Sequence, residues 1–216
     1  MFVKLWMHKN IVTIGIDGTI ADAEVLMDDH KIRRLPVTDE EGNLLGILSR
    51  EDIKNALPSI IDANFDQTAR ALAHQAKVEA FMTKAPITCD PMEPLEKVAA
   101  SMRKNKIGGI PVVTENKLVG IITESDIFEA FTQILGGKEE GVRIELSIDS
   151  DARALYKTVD VFKRHEMNLL NMVVCNDFGT DNRLLTIRCQ GEEDSLEPMI
   201  DDLWGAGCKI NSIIHE

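Results

Sequence analysis

Two short stretches of this chain combine a glycine, a hydroxyl and an acid at matched spacing. One reads Gly46-Ile-Leu-Ser49-Arg50-Glu51-Asp52 and the other Gly120-Ile-Ile-Thr123-Glu124-Ser125-Asp126. Ser or Thr with an acid three residues on, ahead of a helical pattern, is the signature of a capping box. The same arrangement suits a phosphorylated, hydroxyl-rich ligand. A helix N-terminus offers free N–H groups and a positive dipole end. A hydroxyl there can donate to a phosphate oxygen, and an aspartate one turn on can accept from both hydroxyls of a ribose. The two readings are compatible. The acid is Asp in both stretches, where Glu or Gln is the usual capping partner; a short acid that reaches back poorly favours a partner from outside.

These stretches belong to a longer duplication. Residues 7–53 reappear at 82–127: MHKNIVTI answers MTKAPITC, KIRRLPV answers KIGGIPV, and GILSREDI answers GIITESDI. The offset is 75 residues until it drops to 74 where EEGNL is matched by ENKL. A one-residue change of length belongs in a hairpin turn, where it costs little. Two copies are too few for a solenoid and predict a pseudo-symmetric pair packed face to face.

Each copy reads as β-α-β-β-α. An extended piece ends in Thr13 or Thr88. A helix follows, opened by a capping box at Thr19–Asp22 in copy one and by Pro94 and Glu96 in copy two. Met27 and Met102 fall on its apolar side. A strand begins at Pro36-Val37 or Pro111-Val112, a turn and a second apolar strand follow, and the last helix opens at Ser49 or Thr123. Between the copies, the alanine-rich stretch 59–78 reads as a helix with Ile61, Phe65 and Leu72 inward.

Composition excludes several classes of function. A net charge of −12 disfavours nucleic acid and anionic membranes as main partners, while a local basic cluster could still take a small anion. No apolar run approaches the ~20 residues that span a bilayer, and the first residues show no signal peptide. Cys89, Cys175, Cys189 and Cys208 have no CxxC spacing and read as small core residues of a reduced, cytoplasmic protein. The histidines have no metal-ligand spacing, so no metal is expected. No nucleophile sits beside a base and no P-loop is present, so no catalysis is expected.

The I-x-x-[LI]-P-V strand and the G-h-h-[ST]-x-x-D turn, complete in both copies, resemble a tandem pair of CBS domains, a Bateman module, over residues 1–135. The resemblance implies adenosine-containing ligands in the cleft between the motif pairs: AMP, ADP, ATP or S-adenosylmethionine. By position it assigns Ser49 and Asp52 to one site and Thr123 and Asp126 to the other, with Asp holding ribose. It places Thr13 and Thr88 near the ligand, and residues 32–35 and 107–110, Ile110 among them, along its base. In some nucleotide-sensing members an arginine at the position of Arg34 meets phosphate, sometimes across the cleft. Copy one carries Arg33, Arg34 and Arg50, where copy two has Gly108, Gly109 and Glu124. An arginine fork suits phosphate and Glu124 repels it, so the two sites should be unequal, with phosphate favouring the arginine-rich one.

The last third follows another pattern. Residues 136–140 read as a flexible linker. Val142, Ile144, Leu146 and Ile148 alternate with Arg143, Glu145 and Ser147, a half-buried strand. Leu155, Val159 and Phe162 mark a helix, 168–176 and 183–189 two strands, Leu196, Met199, Ile200 and Leu203 a second helix, and 209–214 a last strand. The order βαββαβ is the ferredoxin-like split motif. Leu155 and Asn168 make the region resemble an ACT domain, although Ala152 and Arg153 replace the family's Pro-Gly before the helix, which speaks against amino-acid binding.

The expected fold is therefore α/β (α+β): CBS repeats at 1–58 and 80–135, a helical connector at 59–79, a linker at 136–140 and an ACT-like domain at 141–216. A CBS pair followed by one ACT domain resembles the acetoin-utilisation CBS-ACT proteins. That resemblance implies a regulatory protein sensing adenine nucleotides, with a protein target that the sequence does not name. A homodimer is expected, because flat paired repeats and a four-stranded sheet leave apolar or edge surface that a second copy would bury. The alternative is an interaction protein in which the ACT domain senses a small molecule or contacts the target and the CBS pair serves dimerisation.

Overall fold

The computed structural model describes residues 1–58, 66–136, 140–177 and 179–215, apart from the side chain of Glu193. Ile61 and Phe65 of the expected connector lie outside them. The chain divides into two units, Met1–Ile127 and Phe128–Glu216.

In the first unit, copy one forms β1 (Ile14–Gly15), α1 (Ile20–Asp29), β2 (Arg34–Thr38), β3 (Leu44–Ser49) and α2 (Arg50–Ala56). The connector contains α3 (Gln67–His74), and β4 (Thr83–Lys84) follows. Copy two supplies α4 (Leu95–Asn105), β5 (Gly109–Thr114), β6 (Lys117–Thr123) and the start of α5 (Glu124–Ile134). The capping box at Thr19 is complete: its hydroxyl accepts from Asp22 N–H and Asp22 accepts from Thr19 N–H at 3.0 Å. Both first helices end with a lysine in the left-handed region, Lys31 and Lys106, and the next amide donates back to Met27 or Met102. The two methionines are buried, as their spacing predicts.

Two expectations are corrected here. Leu72 is 69% exposed; the half-buried side of α3 carries Ala69, Arg70, Ala73 and His74 instead. Cys175 is exposed, while Cys89, Cys189 and Cys208 are buried. Cys175 lies near the end of an edge strand, where one face has no layer to cover it.

The hairpins carry the length difference. Asp39 pairs with Asn43 around a three-residue loop whose Gly42 has φ of 83°. Thr114 pairs with Lys117 around Glu115-Asn116, both at positive φ, the two-residue primed turn. The two hairpin tips bond each other: Leu44 N–H donates to Asn116 and Leu118 N–H to Gly42, each at 3.1 Å.

The repeats also exchange their leading segments. Sheet one runs β1-β2-β3-β4, and its edge strand β4 comes from the start of copy two, pairing Gly46 with Lys84 and Ile47 with Thr83. Reciprocally, His8 from the start of copy one pairs with Ile121 of β6, with amide bonds of 2.9 and 3.0 Å in both directions. The short 3-10 turns Val3–Leu5 and Val78–Ala80 dock the same way. Val3 N–H donates to Glu93 and Val78 N–H to Gly18, and both valines are fully buried. Burying one such side chain contributes roughly 1.5–3 kcal/mol, so each repeat is held in part by the other's leader.

The second unit contains β7 (Val142–Ile148), α6 (Ala152–Arg164), β8 (Asn168–Asn176), β9 (Arg183–Gln190), α7 (Glu193–Gly205) and β10 (Lys209–His215). Its antiparallel sheet has the order β10-β7-β9-β8, the βαββαβ split topology expected. Ile144, Leu146 and Ile148 of β7 pack with Leu185, Ile187, Phe162, Met199 and Leu203. On α6 the fully buried positions are Thr158, Val161 and Phe162, with Val159 on the flank of that stripe. The Thr158 hydroxyl is satisfied at 2.9 Å by Ala154 O. The other face of β7 is less open than its polarity suggests, since Ser147 is 8% exposed.

Candidate functional site

The sharp step from β3 or β6 into the following helix builds both candidate turns. At the first, Asp52 Oδ2 accepts from Ser49 N–H at 2.7 Å and from its hydroxyl at 2.6 Å, and Ser49 Oγ accepts from Asp52 N–H at 3.2 Å. At the second, Asp126 Oδ2 accepts from Thr123 N–H and hydroxyl, both at 2.7 Å. The short acid therefore does reach back, contrary to expectation: the extended backbone of Ser49 brings its N–H to Asp52. Any outside ligand must be argued from what else surrounds the turns.

Around the second turn lies a cavity of about 380 Å³, lined from copy two by Ile121, Thr123 and Ser125 and from copy one by residues 10–12, 30–34 and Pro36, with His8. Five of the lining residues are His8, His30, Lys31, Arg33 and Arg34. A chain with a net charge of −12 thus gathers a basic wall at one place. Such a wall focuses a field that attracts anions.

Arg34 reaches across the repeat boundary. Its guanidinium and the Glu124 carboxylate share the space that a β-carbon on Gly108 would fill, and its Cδ lies 2.8 Å from that of Gly109. The glycines of copy two are the notch that receives an arginine of copy one. Burial pushes the Arg34 guanidinium below its ordinary value, and the charge of Glu124 opposes that shift. The arginine-rich wall and Glu124, expected on different sites, therefore meet at one.

The remaining candidates are placed as follows. Arg50 donates to Asp28 Oδ1 at 2.7 Å and to Ile32 O at 3.3 Å, joining the start of α2 to the end of α1. Ile110 is buried in the core, paired across the hairpin with Ile122. Thr13 and Thr88 are exposed, each just before the first strand position of its repeat. None of these four lines the 380 Å³ cavity. His8, His30, Lys31 and Ser125 join the site without having been singled out from sequence. For His8 a signal existed: MHK stands where the second copy has MTK. Among the described residues no cluster of His, Cys, Asp and Glu could hold a metal ion, and no helix is long and apolar enough to cross a membrane.

Comparison with known proteins agrees with this architecture. The CBS domain model matches residues 3–59 and 78–133, just over half of the chain. A CBS domain-containing protein of Dictyostelium discoideum is 33% identical over 138 residues, and the match covers 62% of this chain and 94% of that protein. L-aspartate semialdehyde sulfurtransferase of Methanocaldococcus jannaschii is 34% identical over 63% of this chain, but the match spans only 24% of that enzyme. Among solved structures, the CBS domain pair of protein MJ0100 in complex with 5′-methylthioadenosine and S-adenosyl-L-methionine is similar at 32% identity and TM-score 0.52, covering 64% of this chain and 98% of that one. An acetoin utilization protein of Vibrio cholerae is similar at 32% identity and TM-score 0.54, covering 63% and 93%. CBSX2 in complex with AMP is similar at 27% identity and TM-score 0.52, covering 62% and 97%. With both repeats matched and the strand-to-helix turns in place, the chain belongs to the CBS domain family.

Proposed function

We propose that this chain is a regulatory sensor of adenine nucleotides that binds them in its CBS pair and passes the signal to a protein partner. The observation that carries the reading is the cavity beside Thr123, with Arg33, Arg34, Lys31, His30 and His8 on its wall. Ribose at the Asp126 turn would set its phosphate toward that wall, where the Arg34 fork can bind it bidentately. Relatives solved with AMP, with S-adenosylmethionine and with 5′-methylthioadenosine support the ligand class. Asp52 and Ser49 would serve the second site, with Thr13, Thr88, Arg50 and Ile110 as supporting positions. The mechanism is differential binding, nucleotide favouring one arrangement of the two repeats. We further assign the chain a cytoplasmic, non-catalytic role as a homodimer, with no nucleic acid, membrane or metal as partner. The division into repeats at 1–58 and 80–135, a connector at 59–79, a linker at 136–140 and an ACT-like domain at 141–216 belongs to the same proposal. So does a link to acetoin utilisation, which the Vibrio cholerae relative supports.

The test is a thermal-shift series with AMP, ADP, ATP, adenosine and S-adenosylmethionine on ligand-free protein. A ligand at 100 times its Kd adds about 2.7 kcal/mol, and each kcal/mol moves Tm by roughly 2–4 °C at this size. Asp52→Asn and Asp126→Asn should each reduce the shift. No shift with any of these compounds would sink the sensor reading.

One observation favours the alternative, in which the second unit is the sensing part. A cavity of about 200 Å³ lies at the β7–α6 loop, lined by Asp149, Asp151, Arg153, Lys157 and Cys208. Asp151 caps α6 by accepting from Arg153 N–H at 3.1 Å. Arg153 brings a bulky cation to the place where a glycine would let a ligand approach the backbone. Calorimetry of the whole chain with free amino acids is expected to show no saturable heat, and a saturable heat would favour the alternative.

A further inference from the structure

The two turns hold their aspartates alike but present them differently. Asp52 Oδ2 is engaged by Ser49, and Asp52 Oδ1 has no bonded partner among the described residues. Asp126 Oδ2 is engaged by Thr123 in the same way, but Asp126 Oδ1 stands 2.9 Å from Nε2 of His8. The Asp126 side chain is 10% exposed and does not line the cavity, whereas the His8 side chain is 66% exposed and does. The imidazole covers the carboxylate on its open side.

His8 reaches this place because the leaders are exchanged. Its backbone is clamped to Ile121, five residues before Asp126, by amide bonds of 2.9 and 3.0 Å. The pseudo-equivalent contact, Thr83 against Ile47, carries a shorter side chain at that position. The substitution of His for Thr at one leader is thus the change that distinguishes the carboxylates, which are otherwise bonded identically through Oδ2.

We propose that His8 is a specificity-determining residue of the Asp126 site, excluding neutral adenosine compounds and admitting nucleotides that carry phosphate. This rests on the adenine-nucleotide reading above. A ribose needs an accepting carboxylate oxygen, and at Asp126 the open one is taken. A neutral nucleoside must break the His8 contact and offers the imidazole no anionic acceptor in return. A nucleotide offers its phosphate, on the same wall that carries Arg33, Arg34 and Lys31, as a new acceptor for the displaced imidazole. Asp52, with Oδ1 open, makes no such demand, so the first turn should accept neutral and charged adenosine compounds alike.

The experiment uses the full chain carrying Asp52→Asn, so that binding reports the Asp126 site; asparagine retains capping ability. AMP and adenosine are titrated calorimetrically with and without His8→Thr, which copies the residue of the other leader and stands at an exposed position. His8→Thr is expected to tighten adenosine by about tenfold, the worth of one such hydrogen bond, and to change AMP by less than threefold, so discrimination for AMP falls. Adenosine affinity that is unchanged or weaker overturns the inference while leaving the nucleotide reading intact. Failure of every adenosine compound to bind any of the variants or the wild type overturns both.

Discussion

Gly46 and Met82 belong to different repeats and compete for the same space. A β-carbon on Gly46 would lie 2.5 Å from Met82 Sδ and 2.9 Å from the carbonyl oxygen of Thr83. The twin relationship holds between Gly120 and Met7, with Sδ at 2.6 Å and the His8 carbonyl at 3.1 Å. The glycine that opens each candidate turn admits the other repeat's leader. A flexible methionine end can swing aside, but a strand carbonyl paired in the sheet cannot. Gly46→Ala should therefore destabilise the fold by about 1–3 kcal/mol, lowering Tm by several degrees. Gly15→Ala, where nothing lies within 4 Å, is the control and should leave Tm unchanged. Equal Tm values for the two variants in differential scanning calorimetry would refute the packing argument.

Arg34 is expected to read phosphate. Arg34→Ala should weaken AMP tenfold or more, since hydrogen bonds to a charged group contribute about 1.5–3 kcal/mol, and should leave adenosine within about twofold. Titration of both ligands against wild type and variant decides it. An equal loss for both would mean that Arg34 only shapes the cavity.

The thiols should separate by burial. Burial pushes Cys89 up to about 12, with Glu93 and Asp90 adding to the shift, and pushes Cys189 up to about 11. Thiolate is the reactive form, so both should resist iodoacetamide at pH 8 in native protein while exposed Cys175 is labelled. Peptide mass spectrometry reads this directly. Early modification of Cys89 would show that its pocket opens.

The chain should dimerise. Phe128, Phe131 and Ile134 on α5 are 69%, 57% and 39% exposed, an apolar row larger than scattered surface residues account for. Sedimentation at micromolar concentration should give twice the 24.0 kDa chain mass, and Phe128→Glu with Phe131→Glu should return it to one. A wild type that sediments as a monomer disproves the expectation.

The fold was legible where a residue's own neighbours dictate its conformation. Thr19, Ser49 and Thr123 announce helix starts through side chains that need only the next turn. The single missing residue in ENKL points to the hairpin because the alternation on both sides leaves it nowhere else, and the three- and two-residue loops at Gly42 and Asn116 follow. Pairing between leaders was not legible. Met7-His8 and Met82-Thr83 carry the same apolar pattern, so local chemistry cannot say whether each serves its own repeat or the other. For the same reason the partners of Arg34 and His8 stayed hidden: both act across the boundary that the repeat pattern draws. Leu72 illustrates the converse, an apolar residue on a helical pattern that lands on the exposed side of its helix.

The exchanged leaders also set an order of events during synthesis. When copy one has left the ribosome its sheet still lacks the edge strand Thr83–Lys84, and its glycine notch at Gly46 is unfilled. Completion waits for the start of copy two. The last clasp, between the eighth residue and the hundred-and-twenty-first, closes only when nearly the whole unit exists. Long-range pairings of this kind slow folding, because the loop must close before the contact returns any free energy. A fragment ending before Thr83 would carry an open strand edge, and translation pausing there would prolong the exposure of a surface that the finished protein never shows.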